Sequence, residues 1–192
     1  MSLENLKIGF ALTGSFCTIE RVVEQLHSLV LSGADVLPIF SECVNSTDTR
    51  FGNHTELYNR VKQITGHDVM TNIKSAEPIG PKNLLDALII APCTGNTLGK
   101  LANGITDSSV TMAAKATLRN KKPVIIAVST NDGLSNSAKN IGTLLNVKNI
   151  YFVPFGQDDP VNKETSLVAK MEYILPTLNS ALDGRQIQPI LR

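Results

Sequence analysis

Hydroxyl, amide and glycine residues recur directly after short apolar runs along this 192-residue chain, and an anion site can be built from such groups. Thr13, Gly14 and Ser15 follow KIGFAL; Ser41 follows VLPIF; Pro92, Cys93, Thr94, Gly95, Asn96 and Thr97 follow DALIIA; Ser129, Thr130 and Asn131 follow VIIAV. Free backbone amides and helix N-termini favour negative charge, so residues of this kind suit a phosphate or a polar ring system. Any one set, taken singly, also serves turns and helix caps. Their repetition at several strand ends points to a bound, phosphorylated ligand.

Other chemistries lack their patterns. Residues 95–100, GNTLGK, are one residue short of a Walker A loop, and Leu101 follows Lys100 where Ser or Thr is needed, so ATP hydrolysis is disfavoured. No GxGxxG follows the first apolar run, so this chain is not expected to bind NAD itself. His27, His54 and His67 show no metal spacing, and no GxSxG elbow or Cys/His pair at recognisable spacing is present. No metal ligand and no catalytic residue stands out. Cys17 and Cys93 fall near the strand ends, where a thiol can be activated, although free cysteine more often serves as a small packing residue.

The elements that must position these groups follow from periodicity. Lys7–Leu12 is a strand, and Ile19, Val22, Val23, Leu26, Leu29 and Val30 fall at helical spacing up to Gly33. Residues 36–40 form a second strand, 41–53 an irregular polar stretch, and Asn53 with Glu56 opens a helix that Gly66 ends. Pro78 and Pro81 leave 67–81 as loop with a short strand. DALIIA is a strand buried on both faces, Asp107 caps a helix over 108–118, residues 124–128 and 150–153 are further strands, and 165–182 is a closing amphipathic helix. Strands alternating with helices predict an α/β fold: a three-layer, doubly wound parallel sheet of the Rossmann-like or flavodoxin-like kind, with the ligand crevice at the carboxyl ends of the strands. No repeat or linker divides the chain, so residues 1–183 are expected as one domain and 184–192 as a C-terminal tail.

Composition agrees with a globular protein. With 18 basic and 17 acidic residues and no Trp, nothing suits a run of nucleic-acid phosphates. Lys121-Lys122 is a solvated loop end before Pro123. Three cysteines without paired short spacings, no basic N-terminal leader and no bilayer-length apolar run predict a cytoplasmic protein without a membrane partner.

Residues 91–104, APCTGNTLGKLANG, resemble the APASANTIAK-type segment of the flavoprotein family of small FMN-binding proteins. The likeness runs on through KIGFALTGSFCT, through EPIGPKNLLDALII and ITDSSVTMAAKATLRN, and to the closing helix. The resemblance implies an FMN site whose phosphate is held by Gly14, Ser15 and Ser41, with Asn96 and Thr97 as the family's asparagine-threonine pair and Pro92, Cys93, Thr94 and Ser129 completing the cofactor-binding set. It also implies a homo-oligomer, a trimer or a multiple of trimers, with flavin near subunit interfaces. Along its length the resemblance implies one half of a two-component oxidoreductase of spore-forming bacteria. It implies a nucleotide-binding partner expected to carry NADP, the pair oxidising a dihydropyridine-type precursor to a small dicarboxylate. Lys100, Lys115, Arg119 and Lys139 are cations near the motifs in sequence.

The sequence departs from the family's decarboxylases. Cys93, Thr94 and Gly95 replace a small residue, serine and alanine; the catalytic histidine has no counterpart; and STNDGL at 129–134 replaces a Met-containing segment. An oxidoreductase component is therefore the first expectation, a flavin-free assembly or substrate-binding component the second, and a decarboxylase the last.

Overall fold

The computed structural model describes residues 3–192. Five parallel strands form its centre: β1 (Lys7–Leu12), β2 (Asp35–Phe40), β3 (Ala87–Cys93), β4 (Val124–Thr130) and β5 (Ile150–Phe152), in the order β2-β1-β3-β4-β5. Register places Ile8 beside Val36 on one side and beside Ala87 on the other, and Leu88 beside Val124. β3 is buried along its whole length, as a central parallel strand covered on both faces must be.

The helices cover both faces. α1 (Ile19–Leu31) turns Ile19, Val22, Val23, Leu26 and Leu29 inward, and the last helix, α8 (Ile174–Leu182), packs beside it. α6 (Ser109–Arg119) packs across β1 to β4 on the opposite face, because strand order reverses at β1 and right-handed crossovers then send successive helices to opposite sides. α5 (Gly95–Ala102) and α7 (Ala138–Leu145) pack together next to β4 and β5. The core is continuous, so the α/β, three-layer arrangement read from the sequence is the one observed.

Several local expectations change. The sheet is mixed: β7 (Leu167–Ala169) pairs antiparallel with the end of β4, Thr130 opposite Leu167, and β6 (Phe155–Gly156) pairs antiparallel with β7. The helix expected over 165–182 therefore begins only at Ile174, since pairing with β4 overrides a helical periodicity that Leu167, Val168, Met171 and Ile174 also satisfy. Ser108, not Asp107, caps α6 in a box with Thr111, while Asp107 pairs with Lys100 at 2.8 Å. The polar stretch after Ser41 holds the short α2 (Glu42–Ser46), and 67–81 holds α4 (Ile73–Ala76) with a single bridge, Met70 to Ile39. α3 (His54–Thr65) starts at the Asn53 cap and ends at Gly66 in the left-handed conformation, as expected. Residues 184–192 run back along the sheet: Gln186 exchanges hydrogen bonds with the Phe152 backbone, and Leu191 bridges to Phe155.

Candidate functional site

The carboxyl ends of β1, β3 and β4 converge, and their side chains tie the floor of one cleft. Thr13, 2% exposed, donates from Oγ1 to the Pro92 carbonyl at 2.7 Å and accepts from the Thr94 amide at 3.1 Å. This locks the turn after β1 to the β3–α5 junction. Thr94 is the cap of α5, its Oγ1 accepting from the Thr97 amide at 3.3 Å and lying 3.1 Å from Thr97 Oγ1. Ser15 Oγ lies 2.8 Å from Ser129 Oγ, joining the end of β1 to the end of β4. Each hydroxyl has one donor and two lone pairs, so after that mutual bond both retain capacity toward a ligand.

Above this floor opens a cleft of about 700 Å³. Gly14, Ser15, Phe16 and Cys17 form one side, Thr94, Ser129, Thr130 and Asn131 the floor, and Arg21, Arg50 and Phe51 a second side. The loop between β6 and β7 supplies Asp158, Lys163 and Ser166. Phe16 and Phe51 also line a smaller cavity of about 200 Å³ reaching Val44, Leu57 and Arg60. Gly14 packs tightly, since a Cβ there would lie 3.1 Å from Cys43 Sγ.

Charge in the cleft is mostly positive. Lys163 Nζ lies 3.2 Å from Asp158 Oδ2. Burial works to raise the Asp158 pKa, but the nearby Ser166 hydroxyl and the Lys163 ammonium outweigh it and hold the carboxylate below its ordinary range. Ser166 Oγ, itself buried, completes no hydrogen bond in good geometry. Among the described residues Arg21 pairs with Glu172, at 3.6 Å, and Arg50 lies over the Phe51 ring at 4.8 Å.

The sequence-derived residues divide. Gly14, Ser15, Thr94 and Ser129 line the cleft together. Ser41 does not; its hydroxyl caps α2 by accepting from the Val44 amide at 3.4 Å. Pro92 and Cys93 lie buried in β3 behind the floor, and burial pushes the Cys93 thiol far above its ordinary pKa, so it stays protonated. Thr97 is buried under the α5 cap. Asn96 faces a separate depression beside Lys100, Asp132 and Asn140. Cys17 is exposed in the cleft, with Sγ 4.0 Å from Ser15 Oγ. None of Lys100, Lys115, Arg119 and Lys139 lines it; its cations are Arg21, Arg50 and Lys163. The sequence carried no signal for these three, because they come from a helix face and two irregular loops.

A family model described as Flavoprotein matches residues 1–180. The chain belongs to the flavoprotein family. The B subunit of dipicolinate synthase from Bacillus subtilis is 50% identical over 190 residues, covering 99% of this chain and 95% of that protein. The crystal structure of the corresponding dipicolinate synthase component from Bacillus halodurans C superposes with a TM-score of 0.92 at 49% identity, covering 100% of this chain and 98% of the other. At 17% identity the FMN-dependent cysteine decarboxylase SpaF shares the flavoprotein fold, with a TM-score of 0.63 over 95% of this chain and 98% of its own. Within the family, this chain is thus a homologue of the dipicolinate synthase B subunit. Among the described residues no group of three or more His, Cys, Asp or Glu is placed to hold a metal ion, and no helix is long and apolar enough to cross a membrane.

Proposed function

We propose that this chain works as the B subunit of a dipicolinate synthase, a cytoplasmic oxidoreductase. In this reading it acts with the nucleotide-binding A subunit of that enzyme to oxidise a dihydrodipicolinate-type precursor to dipicolinate during sporulation. The observation that carries it is the half-identity to the Bacillus subtilis protein over nearly the whole chain, together with the strand-end cleft. The cleft floor suits an FMN-type cofactor: Ser15 and Ser129 offer hydroxyl capacity beyond their mutual bond, and Gly14 and Thr94 bring backbone to the same place. Ser41, at the α2 cap, Pro92 and Cys93, within β3, Thr97, under the α5 cap, and Asn96, in a neighbouring depression, lie outside the cleft lining. Flavin, when bound, supplies hydride acceptance. The chain's own residues bind and orient: Ser15, Thr94 and Ser129 hold the cofactor at the floor, while the rim cations and Phe16 and Phe51 are left to face the ring substrate.

NADP belongs on the partner in this reading, and the chain assembles as a homo-oligomer, a trimer or a multiple of trimers. Titrating purified protein with FMN tests the cofactor. Saturable quenching of flavin fluorescence, weakened about tenfold by Ser15→Ala or Ser129→Ala, is expected from the loss of one hydrogen bond of roughly 1 to 1.5 kcal/mol. Protein that stays colourless after desalting and leaves flavin fluorescence unchanged would falsify the flavin part. A flavin-free assembly role would then take its place, a reading favoured by Gly95, whose fit against Asp132 gives the altered segment a packing role.

A further inference from the structure

Two arginines from unrelated elements face the same cleft. Arg21 projects from the first turn of α1, and Arg50 from the connection between α2 and α3. Neither is held strongly elsewhere. The contact of Arg21 with Glu172, at 3.6 Å and with side chains 54% and 59% exposed, is the kind of surface pair that contributes about 0 to 1 kcal/mol. Arg50 has no carboxylate within salt-bridge distance among the described residues and rests on the exposed Phe51 ring. The third cation, Lys163, lies closer to its carboxylate, 3.2 Å from Asp158, so the more weakly paired charge of the cleft resides in the two guanidinium groups.

Guanidinium groups present paired donors that fit a carboxylate bidentately, which an ammonium does not. Two of them beside Phe16 and Phe51 make a site for a flat ring carrying two carboxylates. The hydroxyls of Ser15 and Ser129 remain at the floor for a different ligand. A phosphate and a carboxylate share this anion chemistry, and the ring acid is the ligand that offers one carboxylate to each arginine.

We propose that Arg21 and Arg50 are the specificity-determining pair of this cleft, each gripping one carboxylate of a planar aromatic dicarboxylic acid. The proposal rests on the dipicolinate synthase reading for the identity of the acid. It does not depend on whether flavin binds.

The test uses the full chain, with dipicolinate, picolinate and FMN titrated separately by calorimetry into wild type, Arg21→Ala, Arg50→Ala and the matching lysine variants. Thermal melts confirm that each variant is folded, as expected for exposed side chains. Each alanine variant should bind dipicolinate about tenfold to a hundredfold more weakly, the loss typical of a hydrogen bond to a charged group. Lysine should restore part of that loss. Picolinate, with one carboxylate, should respond strongly to only one of the two substitutions, and FMN affinity should change less than about twofold. Wild type that binds FMN but not dipicolinate overturns the proposal and leaves the flavin reading standing. Binding of dipicolinate without FMN supports the proposal and removes the flavin reading. Alanine variants that keep full dipicolinate affinity, or that lose FMN and dipicolinate in parallel, overturn it, the second result assigning the arginines to the cofactor phosphate.

Discussion

A Cβ added at Gly95 would lie 2.6 Å from Asp132 Oδ1 and 2.7 Å from both Ser137 Oγ and Thr130 Oγ1. Those oxygens form one cluster, in which the Asp132 carboxylate accepts from Thr130 at 2.5 Å and from Ser137 at 2.9 Å. The alanine of the family's APASANTIAK-type segment would collide with all three, so the departure at this position is a packing requirement. Gly95→Ala should destabilise the protein by about 1 to 3 kcal/mol, read as a lower urea midpoint at unchanged slope. A midpoint equal to wild type would show that the cluster yields easily. Cys93 has a similar explanation, since a fully buried strand position wants a small apolar side chain, which a protonated thiol provides.

Between elements, the buried hydroxyl of Thr13 matters more than its size. It satisfies the Pro92 carbonyl and the Thr94 amide together, and so holds β1 against the β3–α5 junction from which the cleft floor is made. Thr13→Val keeps the shape and removes both bonds, taking this partner from the buried Pro92 carbonyl and the half-buried Thr94 amide. A loss of roughly 1 to 3 kcal/mol is expected, the cost of depriving the buried carbonyl of its partner, with a smaller addition from the half-buried amide. Thr13→Ser should recover most of it in the same denaturant titration. Equal stability of the valine and serine variants would show that the junction holds without this hydroxyl. The antiparallel β6–β7 pair acts at the same scale: docking on Ser129 and Thr130, it carries Asp158, Lys163 and Ser166 to the cleft rim.

Across the whole molecule, most of the carboxylates with lowered pKa values stand on the surface, apart from the cleft. Asp48 is held low by the His54 amide, Asp68 and Asp107 by hydrogen bonds from Lys62 and Lys100, and Asp159 by the Asn162 amide, all from an ordinary value of 3.8. A carboxylate whose folded pKa is depressed adds stability that is fully present above its unfolded value and is lost as pH falls through the folded one. The thermal midpoint should therefore show no loss from these groups above about pH 5 and should decline below about pH 4. Acid loss should be reduced in a variant that replaces Asp48, Asp68, Asp107 and Asp159 by asparagine. A midpoint that falls equally steeply in that variant would assign acid lability to other groups. The returning C-terminal segment adds to stability by a different route, pairing Gln186 with Phe152 and closing the outer edge of β6.

Much of this was legible from periodicity and chemistry along the chain. The apolar runs at β1, β3 and β4, the inward stripe of α1 and the Asn53 and Gly66 boundaries of α3 are local in origin, because burial and capping act within a few residues. Such local signals were enough for the layered α/β class, for the strand ends that bear hydroxyls and, through likeness to a family, for the class of cofactor to test. Which of those residues face one cleft was settled by tertiary packing instead. Packing turned Ser41 to a cap, buried Cys93 and aimed Asn96 elsewhere, since side-chain direction at a strand end depends on what the next element packs against. It also converted residues 167–169 from helix to strand, and it brought Arg21, Arg50 and Lys163 to one rim. Their shared charge arises from long-range contacts and leaves no local pattern in the chain.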